Sequence, residues 1–328
     1  MSASSAAWKA IDIPRSWQTD SGSGLSVSYP CGVSRLARYA WFVLFFSVGV
    51  ILLGALVRAT GSGAGCGQSW PTCQGELIPS LEGATAVEFA HRMVSGVALI
   101  LVVVLVIWVL RTVKKGQPAR LGAVLALVAI VGEALIGAAI VLAEWVADDA
   151  SVARAVAVPL HLVNTLFLLS ALALTAFWLG GGKRLDFASR PAVTRGVALG
   201  GLALILIAAS GAVTALADTL FPGEGIEADF SSGAHFLTRL RVIHPILAVG
   251  TAVLGWWFSG KTELPRTRSA RALPILVGLM LITGAVNVLV GVPVWLQLVH
   301  LALADGLWIA YVLTSAQVLQ NELAPVSA

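Results

Sequence analysis

The sequence predicts an all-α integral membrane protein, with eight transmembrane helices arranged as two pseudo-symmetric four-helix bundles. Three observations predict it. Eight apolar segments, near 39–58, 85–110, 121–143, 153–179, 196–217, 237–258, 273–290 and 293–317, are long enough to cross a bilayer, because ~20 helical residues span a ~30 Å hydrocarbon core. Basic and acidic loops alternate between them. A histidine recurs in the second and fourth segment of each half. The composition agrees: of 328 residues, 58% are hydrophobic and 12% charged, against about a quarter charged in a soluble domain. Mean hydropathy is +0.88. Backbone amides find no water in lipid, so each segment must be a helix.

The loops set the orientation. Arg35 and Arg38 precede the first segment. Arg111, Lys114, Lys115 and Arg120 follow the second; Lys183, Arg184, Arg190 and Arg195 follow the fourth; Lys261, Arg266, Arg268 and Arg271 follow the sixth. The opposite loops carry Glu76 and Glu82, then Glu144, Asp148 and Asp149, then Glu224, Glu227 and Asp229. Positive charge stays inside, which places both termini in the cytoplasm. Residues 1–34 lack the apolar core of a signal peptide and the acid-free, Arg-rich character of an organelle presequence. A bacterial plasma membrane is expected. The net charge of +4 comes mostly from the inner loops, and no basic stripe with interleaved aromatics suggests nucleic acid.

The polar loop at 181–195 divides the chain. We expect a cytoplasmic segment at 1–36, an N-terminal four-helix half at 37–182, a C-terminal half at 183–318 and a cytoplasmic tail at 319–328. Leu135-Ile136-Gly137-Ala138-Ala139 in segment three resembles Ile282-Thr283-Gly284-Ala285-Val286 in segment seven. With four helices per half, both halves point the same way, as in a parallel repeat.

His91, His161, His244 and His300 each fall six to nine residues into an outside-to-inside segment, roughly 10 Å below the outer surface at 1.5 Å per residue. One such histidine is ordinarily a buried, hydrogen-bonded side chain. Four at one depth, paired within each half, point to haem held between facing helices. Zinc would need further ligands close by. His235, nine residues before His244, is expected at the outer mouth, solvated or interfacial, and outside the ligand set.

Glu88 shares a helix face with His91, three residues on. The residue three before His244 is Arg241. A carboxylate beside a macrocycle can act as base or stabilise a developing cation; an arginine can pair with a propionate. The alternative is that Glu88 only pairs with Arg92 or Arg58. Arg58, Arg92, Arg239 and Arg241 are candidate propionate partners. Glu133 is the other buried carboxylate, with no role assigned. Cys66 and Cys73 stand in an external loop around Trp70-Pro71. An oxidising compartment favours a disulfide between them, and a redox-cycling pair or two thiols in a relay are the other readings. Cys31 lies on the opposite side.

The Gly61-Ser62-Gly63 turn after Arg58, the cysteine loop ending in Leu77-Ile78-Pro79, Glu88-x-x-His91-Arg92, and His161, His244 and His300 on alternating helices resemble the haem A synthase family, over residues 36–318. The resemblance implies oxidation of the C8 methyl of haem O to a formyl group, with water as the oxygen source and the product serving haem-copper terminal oxidases. It implies a haem b cofactor on His244 and His300, substrate haem near His91 and His161, Glu88 as the functional glutamate and Cys66–Cys73 as an external disulfide. Haem O synthase and oxidase assembly factors would be partners, alongside membrane lipid and an electron acceptor of unknown identity. The second cysteine pair of some members is absent from 219–236 here. A di-haem electron-transfer cytochrome or a haem transporter would also explain the histidines, but not Glu88 at one site alone.

Overall fold

The computed structural model describes residues 31–222, 229–259 and 267–320. They form α1 (Cys31–Ala59), α2 (Gly83–Thr112), α3 (Pro118–Leu142), α4 (Val152–Leu179), α5 (Pro191–Leu220), α6 (Phe236–Leu240), α7 (Ile243–Ser259), α8 (Arg268–Leu289) and α9 (Val294–Leu319). Eight segments are long and apolar enough to cross a membrane, with α6 and α7 together making the sixth, Phe236–Gly255. The all-helical, eight-span class is therefore as predicted. The expected terminal segments through residue 30 and beyond 320, and Glu224, Glu227, Lys261 and Arg266, lie outside the described residues.

Local chemistry starts several helices. Pro118 and Pro191 open α3 and α5, where a missing N–H costs nothing and φ is already helical. The Ser151 side chain accepts the Arg154 N–H at 3.2 Å to cap α4, and Thr267 caps α8 in the same way. The sixth segment departs from expectation: the helix predicted over 237–258 breaks at Arg241–Val242. Pro245 lacks the N–H that would bond the Arg241 carbonyl, and its ring crowds that carbonyl. The orphaned oxygen instead accepts the Thr214 hydroxyl at 3.3 Å.

Each of α1, α2 and α3 packs on the next and α4 on α1; α5 packs on α7 and α9, α7 on α8, and α8 closely on α9. Helices α1 and α4 meet α5 and α9 between the halves. Ile100, Val104 and Ile107 of α2, Leu121, Leu125 and Val128 of α3, and Leu199, Leu202 and Leu206 of α5 are exposed at helical spacing. Apolar stripes facing outward are what lipid requires of a bundle. Inside, Ala119, Gly122, Ala123, Ala126 and Ala129 form a buried small-residue face on α3, which lets α4 approach closely. Trp308 ties the halves together, its Nε1 donating to Leu166 O at 2.8 Å and to Ser170 Oγ at 2.9 Å.

Candidate functional site

His91 follows Gly83 by 8 residues, His161 follows Val152 by 9, His244 follows Phe236 by 8 and His300 follows Val294 by 6. His91, His161 and His300 thus lie roughly 9–14 Å along their helices by helical rise, whereas His244 is the second residue of α7, just after the break at Arg241–Val242. Each imidazole lies over a glycine of the preceding long helix. A Cβ on Gly54 would sit 2.9 Å from His91 Cε1, one on Gly211 2.9 Å from His244 Cε1, one on Gly284 3.3 Å from His300 Cε1, and one on Gly137 3.9 Å from His161 Nε2. At Gly54 and Gly211 a Cβ would force the ring to shift, at Gly284 it would crowd it, and at Gly137 it would make an ordinary contact.

The His244 and His300 rings of α7 and α9 meet edge-on, with centroids 6.4 Å apart and planes at 86°. A metal–imidazole bond is about 2 Å, so two rings on one ion stand about 6 Å apart between centroids. That spacing would let the two rings hold one metal ion between them. The Nδ1 atoms are occupied: His244 Nδ1 lies 3.1 Å from Ile207 O and 3.3 Å from Ser210 Oγ, and His300 Nδ1 lies 2.9 Å from Thr283 Oγ1. Such partners fix the tautomer that leaves Nε2 for the metal. Among the described residues no group of three or more His, Cys, Asp or Glu could hold a metal ion, so a protein-only zinc site has no ligand set.

The N-terminal pair has different surroundings. Glu88 is buried and bound at both oxygens. Oε1 accepts from Arg92 Nη2 at 2.5 Å and Oε2 from the Cys66 N–H at 2.8 Å. Arg92 Nη1 in turn donates to Ser69 O at 2.5 Å and Thr72 O at 2.6 Å. Cys66 and Cys73 form a disulfide, so the carboxylate and guanidinium clamp the disulfide loop over the end of α2. The Glu88–Arg92 pairing weighed from the sequence is present, and the cysteine loop is its further partner. His91 is near enough to His161 and Glu133 to interact electrostatically. Glu133 Oε2 lies 2.8 Å from His161 Nδ1, within ion-pair range though not aligned as a hydrogen bond.

The candidate propionate arginines all have protein partners. Arg58 crosses between the halves, donating to Ala215 O at 2.6 Å, Thr219 Oγ1 at 2.7 Å and Gln297 Oε1 at 2.9 Å. Arg241 Nε is 3.2 Å from Asp218 Oδ1 and its Nη1 3.7 Å from Asp229 Oδ1. Arg239 donates to Ser231 O and Ser232 O at 3.2 and 3.3 Å.

The sequence profile of the cytochrome oxidase assembly protein family matches residues 37–86 and 81–312 of this chain. The chain belongs to the haem A synthase family. A protein named Protoheme IX farnesyltransferase from Thermus thermophilus is 48% identical over 298 residues, 88% of this chain and 49% of that protein. Proteins named Heme A synthase match over shorter stretches. That of Lysinibacillus sphaericus is 42% identical over 106 residues, 31% of this chain and 34% of its own length. That of an Exiguobacterium species is 34% identical over 139 residues, 42% and 46% of the two chains. The chain thus spans about half or less of the curated relatives it matches. Within this haem A synthase-family chain, sequence reasoning missed the glycine seats and the partners of the histidine Nδ1 atoms. It named Glu133 without its His161 contact, and it passed over Asp305 of α9, a carboxyl only 1% exposed. His235, expected to be solvated or interfacial, is half-buried. It stacks at 5.0 Å on Phe221 and 4.6 Å from Phe236, and caps α6 through Nδ1.

Proposed function

We propose that this chain is a haem A synthase: it oxidises the C8 methyl of haem O to a formyl group, with water supplying the oxygen. The observation that carries the reading is two pairs of histidines, each imidazole near a glycine of the preceding long helix, with a clamped glutamate beside one pair only. His91 and His161 bind the substrate haem in the N-terminal half, 37–182. His244 and His300 hold haem b in the C-terminal half, 183–318. The order of helix packing within each half and the glycines beside the histidines support reading the halves as a parallel repeat. When bound, haem b supplies a one-electron redox centre.

Glu88 does its work from a fixed position. Both of its oxygens already accept hydrogen bonds, so the carboxylate cannot swing. A fixed anion stabilises positive charge developing on the oxidised methyl without a reorganisation cost. A remaining lone pair of the same oxygens is where the proton of the attacking water goes. Arg92 and the disulfide loop position Glu88 and close the end of the bundle over it. Arg58, Arg92 and Arg241 line the same end and are the proposed contacts of the haem propionates. Each hydroxylation takes its oxygen from water and releases two electrons, to the electron acceptor, and two protons, to solvent; the second gives a diol that loses water to the aldehyde.

The positive loops support a cytoplasmic location for both termini and a bacterial plasma membrane. The T. thermophilus relative is named for farnesylation of protohaem, and 49% of its length matches this chain. That supports a haem O synthase as the neighbouring partner, with the product passing to oxidase assembly. The test is to incubate the purified chain with haem O and an electron acceptor and identify the haems by mass. Haem A is the expected product; unchanged haem O overturns the reading.

A further inference from the structure

Glu133 is the polar group at the N-terminal histidine pair that the proposed chemistry leaves unused. It sits in α3, across from His161 in α4. Its Oε1 accepts from Asn164 Nδ2 at 2.6 Å and Thr165 Oγ1 at 3.1 Å. Asn164 Nδ2 also donates to Ala129 O at 2.8 Å, and the Asn164 side chain is packed over Gly132, where a Cβ would meet its Oδ1 at 3.0 Å. With Oε1 held in this way, Oε2 stands 2.8 Å from His161 Nδ1, within ion-pair distance though not aligned as a hydrogen bond.

The other three histidines have no such partner. His244 Nδ1 faces a backbone carbonyl and a serine hydroxyl. His300 Nδ1 faces Thr283 Oγ1, whose own proton goes to Leu279 O at 2.7 Å, so the threonine receives the Nδ1–H. His91 Nδ1 has no hydrogen-bond partner among the described residues. Among the described residues a carboxylate oxygen therefore comes within ion-pair distance of His161 alone of the four. An anion on the Nδ1–H side makes Nε2 a stronger donor and favours the more highly charged state of the metal it binds.

We infer that Glu133 is a positioning residue for His161: it fixes the ring with Nε2 toward the bound haem and stabilises that haem's ferric state, so the N-terminal haem is the more easily oxidised of the two. The inference rests on the reading that His91 and His161 hold a haem. It makes the asymmetry between the halves one of ligand strength as well as of Glu88 against Arg241, and it favours oxidation in the half where a substrate is to be oxidised.

The test uses the purified full chain loaded with haem O, titrated optically against reduction potential. His161→Ala identifies which transition belongs to the N-terminal haem. Glu133→Gln should raise that midpoint, moving its ferric-to-ferrous ratio by about tenfold, which is 59 mV for a one-electron couple, with the other haem unmoved. Glu133→Asp should stay near wild type. Asn164→Ala, which releases the clamp without altering either partner, should shift the same midpoint in the same direction by a smaller factor. This variant decides the matter if Glu133→Gln loses haem. Unmoved midpoints in Glu133→Gln, or in Asn164→Ala where that variant decides, overturn the inference while the haem reading stands. If His161→Ala alters no haem transition, the reading itself is wrong and the inference falls with it.

Discussion

Replacing Gly211 by alanine tests the haem seats with one methyl group. The new Cβ would stand 2.9 Å from His244 Cε1, 3.2 Å from Nδ1 and 3.4 Å from Nε2. Carbon atoms rest at about 3.5–4.0 Å, so the ring must retreat by roughly 0.6–1 Å. A metal–ligand bond tolerates about 0.2 Å. The iron cannot keep both His244 and His300 at bonding distance after such a shift. Overpacking of this kind costs about 1–3 kcal/mol, which is about 5- to 150-fold in haem affinity at 1.4 kcal/mol per decade. The helix itself does not suffer, since alanine is better than glycine in a helix interior by about 1 kcal/mol. Gly211→Ala should therefore fold and insert normally, yet lose or broaden the low-spin haem b spectrum. Gly250→Ala on α7, where a Cβ meets nothing within 4 Å, is the control. A Gly211→Ala protein with a wild-type spectrum and full haem occupancy refutes the seat.

Other outcomes follow from the same geometry. Arg92→Gln strips the buried Glu88 carboxylate of its cation and releases Ser69 O and Thr72 O; leaving one member of a buried pair costs about 3–5 kcal/mol, readable as a lower melting temperature and faster proteolysis of the 61–79 loop. Trp308→Phe removes the one indole N–H shared between Leu166 O and Ser170 Oγ, worth about 1 kcal/mol, and should lower unfolding stability in detergent without altering the haem spectra. In the exposed loop joining the halves, hydrogen bonds from the Ser189 side chain and backbone hold the Asp186 carboxyl below its ordinary value of 3.8. A depressed folded value means that the stabilisation is present above 3.8 and fades as pH falls through the lower folded value. Proteolysis of that loop should accelerate at acid pH, and Asp186→Asn should remove this pH dependence.

Much of the fold was legible because lipid imposes it: apolar length gives the spans. The histidines stood out because each falls a similar number of residues into an apolar segment. Pro245 carried the signal for the break at Arg241–Val242, but proline alone does not decide. Pro159 and Pro274 lie inside continuous helices α4 and α8, so the outcome depended on Thr214 being placed to satisfy the orphaned carbonyl. The Gly54 and Gly211 seats lie 37 and 33 residues before their histidines, and only the rotation of one helix against another shows which glycine meets which ring. The same holds for Glu133 and His161. Glu88 stood out as a carboxylate three residues before His91, where Arg241 holds the same place before His244, yet its bond to the Cys66 N–H depends on how the disulfide loop folds back, which no spacing rule gives.

The measurement that bears most directly on the whole account is the mass of the haem recovered after the purified chain has been incubated with haem O and an electron acceptor, for the wild type beside Glu88→Gln. The account predicts formyl-bearing haem A from the wild type, and from the variant bound haem O with no haem A. Haem A at wild-type yield from Glu88→Gln, or none from the wild type with haem bound in both halves, would contradict it.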